Sequence, residues 1–124
     1  MGDDLVIIVT GSRHYKKEWK VHAILDSYMP RIVVEGNCPT GADLYARRWC
    51  RLHGIHPRSY TADWKRYGLG AGPIRNGEML RAWARWPNVR VIAFPVEGGR
   101  GTQDAIRQAL ALGMTVENYG DVEV

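Results

Sequence analysis

Three short runs rich in β-branched residues set the fold. They are Leu5-Val-Ile-Ile-Val9, Arg31-Ile-Val-Val-Glu35 and Val89-Arg-Val-Ile-Ala-Phe94, and each leads into glycine and small polar residues. An unbroken apolar run of this length suits a strand covered on both faces, the normal condition of a parallel sheet. Between the runs the period changes to that of a helix. Val21, Ile24, Leu25 and Tyr28 fall at i, i+3, i+4, i+7, and so do Ala42, Tyr45, Ala46 and Trp49. A third helix is expected over Ile74 to Trp86 with Met79, Leu80 and Trp83 inward. A fourth carries Ile106, Ala109 and Leu110 and ends at Gly113, a residue suited to a helix C-terminus. Shorter strands are expected near Ser59 to Thr61 and Thr115 to Asn118. Strand–helix alternation at this spacing predicts an α/β fold, a mostly parallel five-stranded sheet with helices on both faces. The longest irregular stretch expected is Ala62 to Pro73, with Gly68, Gly70 and Gly72.

A chain of 124 residues fits one core, so residues 1–124 are read as a single domain. The first apolar run is too short to span a bilayer, and neither a basic leader nor a myristoylation pattern accompanies it. A cytoplasmic protein without membrane contact is expected. Cys38 and Cys50 make no disulfide framework and are expected to be thiols. Cys50 and His53 have the spacing of half a metal site, but no second pair completes it, so no metal is implied. The simpler reading puts Cys50 on an apolar helix face. Seventeen Lys and Arg against thirteen Asp and Glu give a net charge of +4, which favours anionic partners.

The chemistry collects after the strands. Thr10-Gly-Ser-Arg13, Glu35-Gly-Asn-Cys-Pro-Thr-Gly-Ala-Asp43 and Pro95-Val-Glu-Gly-Gly-Arg-Gly-Thr102 each precede a helix. Glycine lets backbone N–H groups approach a phosphate, and a helix N-terminus favours the charge. Ligands of open parallel sheets bind outside the strands' carboxyl ends, where the strand order reverses. The duller readings are local: tight turns at Gly36 and Gly41, a capping box from Thr40 to Asp43, and an N-cap at Thr102. Three such loops at one sheet edge favour a site. Gly36 to Gly41 has P-loop glycine spacing, but Ala42-Asp43 replaces the Lys-Ser/Thr that holds phosphate and Mg²⁺. The G-x-G-x-x-G of dinucleotide enzymes and the G-x-S-x-G of hydrolases are also missing. No cofactor is implied.

Ala62-Asp-Trp-Lys-Arg-Tyr67 and Gly72-Pro-Ile-Arg-Asn-Gly-Glu-Met-Leu80 complete the candidate surface. An aromatic beside basic residues can stack a base and hold a phosphate; alternatively Trp64 packs on the core beside solvated Lys65 and Arg66. Arg75 and Asn76 are expected to open the third helix, where an anion would meet a guanidinium and the helix dipole.

Taken in order, Gly11-Ser12-Arg13, Glu35-Gly36, Gly41-Ala42-Asp43, Ala62-Asp63-Trp64, Gly72-Pro-Ile-Arg75-Asn76 and Gly98-Gly-Arg-Gly-Thr102 resemble the YspA/YpsA-related branch of the SLOG superfamily. That superfamily also holds DprA and the LOG phosphoribohydrolases. The resemblance runs from about Val6 to Val116. It implies a Rossmann-like fold with strand order 3-2-1-4-5 and a site for nucleotides or nucleotide-derived signals. LOG enzymes cleave a nucleoside monophosphate between base and ribose, using an Arg and a Glu around P-G-G-x-G-T-x-x-E. Arg75 resembles that arginine, but the Glu position falls on Ala105. Asp104 stands one residue early, about 100° away around a helix, and is expected to point elsewhere.

Three functions follow. The first is a binding module, whether sensor, carrier or sequestering protein, for a nucleotide-derived small molecule. Its ligand-binding set is Gly11, Ser12, Arg13, Glu35, Gly36, Gly41, Asp43, Trp64, Arg75, Asn76, Gly98, Gly99, Arg100, Gly101 and Thr102. The second is a LOG-like N-glycosidase or phosphoribohydrolase, with Arg75, Asp104 and Asp63 as catalytic candidates and Glu35 or Asp43 as further carboxylates. The third is single-stranded nucleic-acid binding, permitted by five Trp, six Tyr and a basic balance. Most of those aromatics, including Trp49 and Trp83, sit at core-facing helical positions. A homodimer or higher homo-oligomer is also expected, with an apolar interface from Tyr45, Trp49 and Leu52.

Overall fold

A computed structural model describes residues 4–122. Strands β1 (Val6–Gly11), β2 (Ile32–Glu35), β3 (Arg58–Ser59), β4 (Val89–Phe94) and β5 (Thr115–Asn118) form one sheet, in the order β3-β2-β1-β4-β5. Every neighbouring pair is parallel. Central β1 pairs with β2 from Val6↔Ile32 to Ile8↔Val34, and with β4 from Val6↔Val89 to Gly11↔Phe94.

The apolar runs have no polar alternation because both faces are covered. Successive strand side chains point to opposite sides. Ile7, Val9, Val33, Ile92 and Phe94 meet Val21 and Leu25 of α1 (Glu18–Tyr28) and Ala42, Ala46, Trp49 and Cys50 of α2 (Gly41–Leu52). Val6, Ile8, Val34 and Val91 meet Met79 and Leu80 of α4 (Ala71–Trp83) and Ala109 of α5 (Arg100–Ala111). Each fully buried Val, Leu or Ile contributes about 1.5–3 kcal/mol. A polar residue at any of these strand positions would therefore remove a large fraction of a typical domain's stability.

The stretch from Ala62 to Pro73 is not irregular as its glycines suggest. Asp63 caps a four-residue helix, α3 (Trp64–Tyr67), by accepting from the Arg66 N–H, and a 3₁₀ turn over Gly68–Gly70 runs directly into α4. Pro73 is tolerated because it lies in the first turn of α4, where its missing N–H costs no helical bond. Consequently α4 starts at Ala71 rather than Ile74 and ends at Trp83 rather than Trp86. In α5 the inward face is Ala105, Ile106 and Ala109, whereas Leu110 is exposed. A rotation of about 100° per residue separates Leu110 from Ala109. Gly113 has the positive φ expected after a helix. β3 begins one residue earlier than expected, at Arg58, and is only two residues long.

Two capping expectations fail. Thr40 stands at the N-cap of α2, but its hydroxyl donates to the Arg13 carbonyl, while Asp43 turns back to the Cys38 N–H, so no capping box forms. Gly99 takes the N-cap of α5, which puts Thr102 inside the first turn. Of the three residues expected to supply an apolar interface, Trp49 is buried and donates its indole N–H to Asp26, Tyr45 is half-buried and Leu52 is broadly exposed. Cys50 is buried in the core, and His53 is held by stacking on Trp49 and bonding to the Trp49 carbonyl. Among the described residues no helix is long and apolar enough to cross a membrane.

Candidate functional site

The chain steps from β1 outward to β2 and β3, then returns across β1 to place β4 on its other side. The strand order therefore reverses between β1 and β4. Outside that point the Ser12 N–H donates to the Phe94 carbonyl, holding the two strand ends together. The loop after β1 and the loop before α5 flank the crevice, where an open parallel sheet offers its ligand site.

The three glycine clusters divide by what surrounds them. Gly11 and Gly41 serve close packing. A Cβ on Gly11 would lie 2.5 Å from Cβ of Ala42, and one on Gly41 would lie 2.1 Å from the Ser12 carbonyl oxygen. Gly41 also has φ +75°. The start of α2 is pressed onto the β1 loop, with the Ala42 N–H donating to Ser12 and the Ser12 hydroxyl accepting from His14 N–H. Arg13 points its side chain into solvent. In contrast, a Cβ on Gly98 or Gly101 would meet no described atom within 4 Å. Gly99 closes the turn by donating to Val96, and Arg100 is exposed. The start of α5 is thus open beside Gly98 and Gly101, and Thr102 is buried in its first turn. Of the three loops, this one leaves the most open space around its glycines.

Arg75 supplies the nearby cation. Its Nη1 donates to the Gly36 carbonyl at 2.5 Å and its Nε to Oδ1 of Asn76 at 2.9 Å. A Cβ on Gly36 would sit 2.8 Å from Nη1 of Arg75 and 3.1 Å from Oδ2 of Asp43, so any side chain there would push the guanidinium aside. Asn76 does not open a helix to solvent as expected; it is buried, and its Nδ2 donates to the Gly101 carbonyl and to Asp104. Asp104 also accepts from Gln108, so its carboxylate faces α4 rather than the open loop. Ala105, at the position of the LOG glutamate, is fully buried and carries no chemistry.

The carboxylates have different fates. Glu35 is completely buried and accepts from Asn37 N–H, Arg47 and the Ser59 hydroxyl, so its oxygens are occupied by the chain. Asp63 is the exposed cap of α3. Asp43 is buried, and desolvation followed by the neighbouring charge of Glu35 pushes its pKa up to about 6. Burial and Asp43 together push the Cys38 thiol up to about 11, which makes it a poor nucleophile. Arg47 carries no motif in the sequence, and Cys38 stands out there only as a free thiol. The only signal for Arg47 was its place four residues after Asp43, on the same flank of α2.

Trp64 is 58% exposed and does not pack on the core. Its Cη2 lies where a Cβ on Gly72 would be 3.5 Å away, so the indole covers the start of α4. Gly72 and Arg75 are three residues apart, neighbours on the surface of that helix. The structure therefore brings together Gly36, Asp43, Arg75, Asn76 and the first turn of α5. It leaves Glu35 internal, and the close faces of Gly11 and Gly41 are filled by the chain itself. A groove of about 390 Å³ exists at the opposite sheet edge, lined by Arg31, Ile32, Gly54, Ile55, His56 and Arg58. It lies at the strand beginnings, away from the reversal point and the glycine loops. Among the described residues no cluster of three or more His, Cys, Asp or Glu is placed to hold a metal.

The model of the YspA, cpYpsA-related SLOG family matches residues 5–67, the half that carries Gly11-Ser12-Arg13, Glu35-Gly36, Gly41-Ala42-Asp43 and Asp63-Trp64. A relative, Gene 61 protein of Mycobacterium phage D29, is 36% identical over 125 residues, covering 93% of this chain and 96% of that protein. The likeness to the phage protein thus extends past the family match, to Arg75 and the glycine loop before α5. The chain belongs to the YspA, cpYpsA-related SLOG family.

Proposed function

We propose that this protein is a cytoplasmic binding module for a nucleotide or nucleotide-derived small molecule. The ligand's phosphate rests on the first turn of α5, from Gly98 to Thr102, and Arg75 neutralises part of its charge. The base extends toward α4 and stacks on exposed Trp64. Arg13 and Arg100, both exposed at the rim, add attraction for an anion. The observation that carries this reading is the open first turn of α5. Gly98 and Gly101 face open space at the strand-order reversal, whereas the glycines after β1 and β2 are crowded by the chain's own packing.

The test is mass spectrometry of small molecules released from the denatured protein, beside a thermal-shift panel of nucleotides. An intact nucleotide derivative that is released, and that raises the melting temperature when added back, supports the module. If no nucleotide binds while single-stranded DNA or RNA does, with affinity falling steeply with salt, the module is wrong and the surface is a nucleic-acid one.

One observation favours an enzymatic second reading. A buried carboxylate with pKa near 6, in the cluster that also holds Arg75, is the kind of group that active sites contain. In that reading an N-glycosidase would use Asp43 rather than Asp104 to stabilise an oxocarbenium-like transition state. Free base released from AMP by wild-type protein, and not by Asp43→Asn, would establish it.

A further inference from the structure

Asn76 occupies the junction between the two halves of the site, and we infer that it is a positioning residue, holding the Arg75 guanidinium in register with the first turn of α5. The inference rests on the nucleotide-binding reading above and adds a component to it. Asn76 is 3% exposed, so it is not available as a ligand contact, yet a buried amide needs partners. It finds them on both sides. Oδ1 accepts from Nε of Arg75 at 2.9 Å. Nδ2 donates to the Gly101 carbonyl at 3.2 Å and to Oδ2 of Asp104 at 3.0 Å.

These partners fix the orientation of the amide. Turned over, it would set its NH₂ against the Nε–H of Arg75 and its oxygen against a carbonyl and a carboxylate. Only a side chain with an acceptor and two donors on one short stem satisfies all three contacts. Asp would offer acceptors alone, and Leu neither. Gln108 reinforces the bridge, donating to the same Asp104 oxygen and to the Pro73 carbonyl at the start of α4. The cation is thus tied to the turn that carries the anion-binding N–H groups, and the two are presented at a fixed spacing. Pre-organisation of this kind gains affinity by removing the ordering cost on binding.

A double-mutant cycle separates positioning from mere stability. With ADP as probe, Asn76→Ala is expected to weaken binding about tenfold when Arg75 is present. In an Arg75→Ala background the same change is expected to weaken it less than twofold. Equal losses in both backgrounds, or no loss in either, would overturn the inference while leaving the binding reading intact. A second readout needs no ligand. The Nε–H of Arg75 should exchange slowly with water in the wild-type protein and at least tenfold faster in Asn76→Ala; equal rates would overturn the inference. If wild-type protein binds neither ADP nor AMP, the reading of the site fails, and the exchange measurement still decides whether Asn76 holds the guanidinium. Should the alanine variant not fold, Asn76→Ser replaces it in both measurements, with the same expected results.

Discussion

At Asp43 and Gly41, two residues of the same helical turn, the fold is constrained by charge and by space respectively. Burial raises the Asp43 pKa from 3.8 to about 6, so the folded state binds this proton more tightly than the unfolded chain does. The associated stability is fully present below about pH 4 and is lost as pH rises through about 6. Asp43→Asn removes that loss. Urea unfolding at pH 7.5 should therefore show the variant as stable as wild type or more so, with an upper limit of about 3 kcal/mol. At pH 4 the two proteins should differ little. A variant equally destabilised at both pH values would mean that the Cys38 N–H contact, not the charge, decides. Gly41 is limited by space: a methyl group would collide with the Ser12 carbonyl, and φ +75° already strains any L-residue. Gly41→Ala should cost about 3 kcal/mol or more, read as a lower denaturant midpoint with an unchanged slope.

At the scale of elements, the same substitution one loop away should have the opposite sign. Gly101 lies in the first turn of α5 with ordinary φ and open surroundings. Alanine there raises helix propensity by up to about 1 kcal/mol, so Gly101→Ala should melt at or above the wild-type temperature. Its new methyl group would stand in the open face offered to a phosphate, so nucleotide-induced thermal shift should shrink. Unchanged affinity would show that the ligand does not touch this turn. The contrast also explains what the sequence could not reveal. Glycines that admit a ligand and glycines that admit a neighbouring backbone look the same as letters, and only the contact partner distinguishes Gly101 from Gly11 or Gly41. The helical structure of the stretch from Ala62 to Pro73 was hidden for a related reason. Its glycines at 68, 70 and 72 suggest a loop, but the Asp63 cap and the place of Pro73 in the first turn of α4 let the helices form around them. β1, β2 and β4 were legible because burial on both faces leaves no polar alternation to confuse the pattern.

For the whole molecule, alternation along the chain implied a parallel sheet, while the order 3-2-1-4-5 came through family resemblance. The order matters because it places the reversal beside β1 and so gathers distant loops at one edge. Hydrogen bonds such as those of Asn76 appear only after that gathering, because their partners lie 25 and 28 residues away in sequence. The distribution of tryptophans over this architecture supplies a direct probe of where a ligand lands. Trp49 is enclosed, and Trp83 and Trp86 are half-buried and bonded through their indole N–H groups to Tyr60 and Asp4. Trp19 on α1 and Trp64 beside the site are the broadly exposed ones. A nucleotide stacked at the site should therefore change emission through Trp64 alone. The change should persist in Trp19→Phe and vanish in Trp64→Phe, which keeps an aromatic face for the base. Trp64→Ala should lose about 1–3 kcal/mol of binding, the usual worth of one base–aromatic stack. Ribose 5-phosphate, which has no base, should give no emission change and be indifferent to Trp64. If Trp64→Phe retains the full signal, the base lies elsewhere along the edge, and only the phosphate end of the site stands.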